Sequence, residues 1–218
     1  MALLKSSIAK KVGMALSGLF LIVFLAQHFF INFTSVFSPE NFNSISNFMG
    51  YNPLVQYVIQ PILIAGVIFH FIMGLYLDYQ NKKARPIAYA RNHGAANSSW
   101  ASRNMVLTGL VVLAFMGLHF YDFWVPEITY KYVSVNPIIA DRYYEELVHK
   151  FHSPVRTAIY CVSFILLSFH LWHGFNSSFQ SVGFNNKYSK ALRKLGYAFA
   201  IVVPFGFIFI ALFHHFNQ

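Results

Sequence analysis

Residues other than Asp, Glu, Lys and Arg run unbroken over 12–39, 41–77, 104–121, 157–186 and 195–218. Each stretch holds at least the roughly 18 residues that a bilayer crossing needs, so each predicts a transmembrane helix. The helices are placed at about 12–35, 54–80, 103–125, 154–181 and 194–215, giving an all-α, five-helix transmembrane bundle that forms one domain over 1–218. The second stretch opens with a polar piece from Asn41 to Asn52, followed by Pro53, which reads as a loop ahead of a helix start. The first stretch begins basic, as a signal peptide does. Its apolar run continues past Phe33 without a small-x-small cleavage site, so it reads as a retained span. The polar insertions 81–102 and 126–153 are too short for a soluble catalytic domain.

Composition agrees with the spans. Of 218 residues, 56% are apolar and 11% charged, with 25 Phe and 13 Tyr against 7 acidic residues, too little polar surface to cover a water-soluble core. The mean hydropathy is +0.49. A single cysteine, Cys161, excludes a disulfide framework and a cysteine-ligated iron-sulfur cluster within this chain.

The formal charge of +9 would suit a nucleic-acid partner, but its distribution points to topology instead. Lys5, Lys10 and Lys11 precede the first span. Lys82, Lys83, Arg85, Arg91 and Arg103 lie between the second and third, and Lys187, Lys190, Arg193 and Lys194 between the fourth and fifth. All of these fall on one side. The other side has only Lys131, Arg142, Lys150 and Arg156, together with Glu40, Asp122, Glu127, Asp141, Glu145 and Glu146. Because cytoplasmic loops retain Lys and Arg, the N-terminus is expected inside and the C-terminus outside, with no nucleic-acid partner.

Four histidines sit deep within the spans, where an ionisable side chain is expensive unless it is used. His28 lies 17 residues beyond Lys11, and His119 lies 16 beyond Arg103. Each is therefore about 25 Å from the inner end of its helix. In the antiparallel helices, His70 lies 17 residues after Pro53 and His170 lies 16 after Pro154, about 25 Å from the outer end. Depth thus pairs His28 with His119 near the outer side and His70 with His170 near the inner side. A weak repeat accompanies the pairs. Ser17-Gly18-Leu19 stands ten residues before His28 as Thr108-Gly109-Leu110 does before His119, while Gly74 and Gly174 follow His70 and His170 by four. A glycine four residues from a histidine lies on the same helix face and leaves a flat surface for a large planar ligand, although small-residue helix packing is the alternative for any one glycine. Two imidazoles facing each other across a bundle suit a b-type haem, so two haems b are expected. No Cys-x-x-Cys-His is present for covalent attachment. Metal transport would instead group ligands at one depth with carboxylates, and only Asp78 is acidic well within a placed span. His93, His149 and His152 read as loop residues, and His214 and His215 as the outer surface end of the fifth helix.

The chain resembles the di-haem cytochrome b membrane anchors of succinate dehydrogenase and fumarate reductase, in their single-chain five-helix bacterial form. The motifs are AQHFFIN from Ala26 to Asn32, HFIMGLY from His70 to Tyr76, TGLVVLAFMGLH from Thr108 to His119, and FHLWHGF from Phe169 to Phe175. The resemblance implies haem ligation by His28, His70, His119 and His170, and electron transfer with a quinone, menaquinone being the expected one. It also implies a flavoprotein partner carrying FAD and an iron-sulfur partner, both on the cytoplasmic side of the bacterial inner membrane. Arg103 and Lys11 are expected at haem propionates, and Gln27, Glu40 and Asn43 near the quinone. Some relatives have a proton-carrying glutamate two residues before the fourth ligand. This chain has Ser168 there, which favours potential-assisted succinate oxidation over a compensated proton route. The rival expectations are an anchor for a hydrogenase or formate dehydrogenase, and a histidine-lined transporter.

Overall fold

The computed structural model describes residues 6–84, 99–184 and 186–217. Arg85, Arg91 and His93 lie outside them, as does Lys5. Five helices are long and apolar enough to cross a membrane: α1 (Ser7–Thr34), α3 (Val55–Lys83), α5 (Met105–Val133), α7 (Pro154–Ser181) and α8 (Ser189–Phe216). Three shorter helices complete the fold among the described residues: α2 (Pro39–Tyr51), α4 (Trp100–Arg103) and α6 (Arg142–Phe151).

The helix starts have local causes. Ser6, Ser38 and Ser153 are N-caps whose hydroxyls accept from Ala9 N, Asn41 N and Arg156 N, and proline occupies the first turn of α2 and of α7. That Ser38-Pro39-Glu40 start corrects the reading of 41–52 as a loop, because capping turns this polar piece into α2. The helices also run past the expected ends. α1 takes in Lys10 and Lys11, and α8 takes in Lys190, Arg193 and Lys194. α5 continues through Glu127 and Lys131, an i,i+4 ion pair, to Val133. Charged residues end an apolar run without ending a helix, since long basic side chains extend along it toward the headgroups. π-turns at Val55–Ile59 and Phe120–Trp124 stand immediately before Pro61 and Pro126, relieving the backbone where a proline would otherwise break the ladder.

α7 is the central helix and packs against α8, α5 and α1, while α1 also packs against α3. α3 has no buried residue, and its apolar side chains, such as Ile62, Ile68 and Ile72, are left for lipid. The main core cluster is largely aromatic and lies at the end where α2 and α6 sit: Phe42 of α2 and Phe151 of α6 close there on Phe29, Tyr160, Phe164 and Phe207.

Candidate functional site

The structure brings together the two histidine pairs reached by counting depth. The ring centroids of His28 on α1 and His119 on α5 are 5.8 Å apart at an interplanar angle of 85°. Those of His70 on α3 and His170 on α7 are 6.4 Å apart at 72°. Both are edge-to-face contacts between rings on different helices, and two nitrogens each about 2.0–2.1 Å from one metal ion would leave imidazole centroids roughly 6 Å apart, close to these distances. Among the described residues no three His, Cys, Asp or Glu side chains converge.

The surroundings of the pairs differ. His28 and His119 lie in an aromatic box. Phe24 stacks on His28 at 5.5 Å and Phe207 approaches it at 5.7 Å, while Phe115, Phe123 and Tyr160 surround His119. His119 Nδ1 is buried with no hydrogen-bond partner. The other pair meets hydroxyls and glycines. Ser17 Oγ is 3.0 Å from His70 Nδ1, and Thr108 Oγ1 is 3.4 Å from His170 Nδ1. A Cβ added at Gly18 would come within 3.4 Å of His70 Cε1, and one at Gly109 within 3.4 Å of His170 Cε1. These two glycines, although they precede His28 and His119 in sequence, flank the rings of the opposite pair. A Cβ added at Gly74 would meet Met14 Cε at 3.5 Å and one at Gly174 would meet Met105 Cε at 3.2 Å, so thioether methyls cover their flat surfaces.

Lys11 and Arg103 are exposed at the basic end, where Lys10 reaches the Tyr76 hydroxyl at 3.2 Å. At the opposite end Gln27, Glu40 and Asn43 each have a different partner. Gln27 Nε2 approaches Met49 Sδ at 3.8 Å, Glu40 accepts from the Ser38 hydroxyl at 2.9 Å, and buried Asn43 accepts from Tyr144 N at 2.8 Å, tying α2 to α6. The backbone at Glu40 and the Ser38 hydroxyl hold the Glu40 carboxyl below its usual range.

Several polar residues here escape sequence reasoning. Asp122 is fully buried within α5, paired with Arg156 and accepting from the Tyr160 hydroxyl at 2.9 Å, so Asp78 is not the only acid deep in a span. His214, expected at the surface, is buried, with Nε2 2.8 Å from Ser35 Oγ. Glu127 gathers Lys131, Arg142 and the Tyr143 hydroxyl. Burial acts to lower the Arg142 pKa, but hydrogen bonds to Glu127 and Glu146 outweigh it and hold the guanidinium above its usual value. Burial, followed by Glu127, pushes the Tyr143 phenol well up. Beside this network lies a cavity of about 180 Å³ lined by Gly50, Tyr51, Gln56, Tyr57, Lys131, Tyr132 and Asn136. Tyr51 is one of its lining residues, and the Tyr51 hydroxyl oxygen is itself buried. The sequence signal for these groups was their charge or polarity near a span end, which reads equally well as loop.

No curated protein and no solved structure matches the chain. The family model of the succinate dehydrogenase/fumarate reductase transmembrane subunit matches residues 81–205, more than half of the chain and including His119 and His170. With five membrane-crossing helices and this match, the chain belongs to the succinate dehydrogenase/fumarate reductase transmembrane subunit family.

Proposed function

We propose that this chain is the di-haem cytochrome b anchor of a succinate:quinone oxidoreductase, with His28 and His119 holding one haem b and His70 and His170 the other. The observation that carries the reading is the pair of facing imidazole couples, each drawn from two different helices at ligand spacing. When bound, each haem supplies a one-electron carrier, so the two sites form a relay between a partner at the basic end and quinone at the other end.

Gly18 and Gly109 keep the backbone flat against His70 and His170. Lys11 and Arg103 offer cations to propionates at the basic end, which we place in the cytoplasm from the distribution of Lys and Arg. There the basic residues of α1, α3 and α8 form the docking side for an iron-sulfur subunit, itself joined to the FAD flavoprotein that interconverts succinate and fumarate. At the opposite end the cavity lined by Tyr51 and Lys131 has donors for quinone carbonyl oxygens; Gln27 lies on α1 and Glu40 in the first turn of α2, while Asn43 is taken up by Tyr144. The membrane is the bacterial inner membrane. Family membership favours this reading over a hydrogenase or formate dehydrogenase anchor and over a transporter.

The test is a pyridine haemochrome assay on the purified complex, with two haems b per chain expected. A value of one or none overturns the assignment.

A further inference from the structure

We propose that Ser17 and Thr108 are positioning residues for His70 and His170, fixing the tautomer and orientation of both rings through Nδ1; this rests on the reading that the pair holds a haem. The hydroxyl protons are already committed. Ser17 Oγ donates to Met14 O at 2.8 Å, and Thr108 Oγ1 has Met105 O at 3.0 Å and Asn104 O at 3.2 Å as acceptors for its proton. A hydroxyl has one proton and two lone pairs, so each oxygen meets its imidazole as an acceptor. Nδ1 of both rings therefore carries the hydrogen, and Nε2 presents its lone pair to the metal. The adjacent glycine completes the clasp. A Cβ at Gly18 would meet Ser178 Oγ at 3.0 Å and His70 Cε1 at 3.4 Å, and one at Gly109 would meet His170 Cε1 at 3.4 Å, so each ring lies in contact with the glycine backbone beside its hydroxyl. Thr108 is 1% exposed, and the Met105 carbonyl that takes its proton is also a hydrogen-bond partner of the His170 ring, so hydroxyl and carbonyl hold that ring together.

The same device stands on two helices, as Ser17-Gly18 on α1 and Thr108-Gly109 on α5, and serves one pair only. Both ring nitrogens of His28 face the amide donor Asn32 Nδ2 at 3.4 Å, and His119 Nδ1 has no partner. An Nδ1–H donated to an oxygen raises the basicity of Nε2 and favours the higher oxidation state of the bound metal. The clasp therefore holds the potential of the His70 and His170 site down without acting on the other.

The experiment is a potentiometric titration of the whole complex, followed by haem absorption, with Ser17→Ala, Thr108→Val and the double variant beside Ser17→Thr and Thr108→Ser. The component absent from His70→Ala identifies the affected haem. Its midpoint is expected to move positive in each hydroxyl-removing variant and furthest in the double one. The other component stays in place, and the hydroxyl-retaining variants stay at the wild-type values. Selective loss of that haem, restored by the hydroxyl-retaining variants, also supports the clasp. Two bound haems with unchanged midpoints in the double variant, or equal shifts of both components, overturn it while leaving the di-haem reading intact. A wild-type complex without haem overturns that reading itself. If the double variant fails to accumulate, the single variants decide by the same criteria.

Discussion

Ser168 lies on α7 two residues before His170, and its hydroxyl donates to Ala200 O on α8 at 2.6 Å. Pro204 lies inside α8 and lacks the N–H that the Ala200 carbonyl, four residues earlier, would otherwise receive. Ala200 is 0% exposed, so water does not replace that donor. Removing the hydroxyl by Ser168→Ala leaves a buried carbonyl unsatisfied, at a cost of about 1–3 kcal/mol. Measured interhelical hydrogen bonds in membranes average about 0.6 kcal/mol with a maximum near 1.7, so the lower half of that range is expected. In a Pro204→Ala background the helix regains its own N–H donor, and the same Ser168→Ala change should cost only a few tenths of a kcal/mol. The difference, a coupling of roughly 1 kcal/mol, is read from a double-mutant cycle of SDS unfolding in mixed micelles, followed by loss of α-helical circular dichroism. An equal cost of Ser168→Ala in both backgrounds would refute the pairing of the hydroxyl with the proline-freed carbonyl.

Four further outcomes are expected. His170→Ala should lose the haem shared with His70, together with succinate:quinone activity, whereas substitution of His173, three residues further along α7, by Ala keeps both haems; three residues along a helix shift depth by about 4.5 Å, so spectra showing the reverse pattern reassign the ligand. Asp122→Ala strands Arg156 and Tyr160 and should destabilise the complex toward the lower end of about 3–5 kcal/mol, because the Arg156 side chain is 31% exposed, while Asp122→Asn costs less; thermal inactivation in detergent compares the two. Succinate oxidation by a low-potential quinone in sealed cells should slow on adding an uncoupler, and unchanged rates would count against transfer across the membrane potential. The Glu40 pKa is depressed in the fold, so its contribution to the α2 start is present above the unfolded value near 4.5 and is lost as pH falls through the lower folded value; backbone amide exchange at Asn41 and Phe42 should rise there relative to Glu40→Gln, after correction for the intrinsic rate.

Hydropathy alone determined the number and approximate place of the spans, because lipid requires a continuous apolar helix for every crossing. The rise of 1.5 Å per residue turned sequence spacing into depth, which was enough to pair His28 with His119 and His70 with His170. Depth is one coordinate, however, and rotation about each helix axis and the choice of neighbouring helix are set by packing. Only the tertiary structure could place Gly18 and Gly109 against the rings of the other pair and Met14 and Met105 over Gly74 and Gly174. Asp122, Glu127 and His214 looked like chain ends and loops because a lone charge near a span boundary has the same local pattern whether solvated or paired. What distinguishes them is a partner 34, 15 or 179 residues away, Arg156, Arg142 or Ser35. The helix ends were misjudged for a related reason: a charge stops a hydrophobic run, but α5 stops only where its backbone loses its last hydrogen bonds, beyond the Glu127 and Lys131 pair.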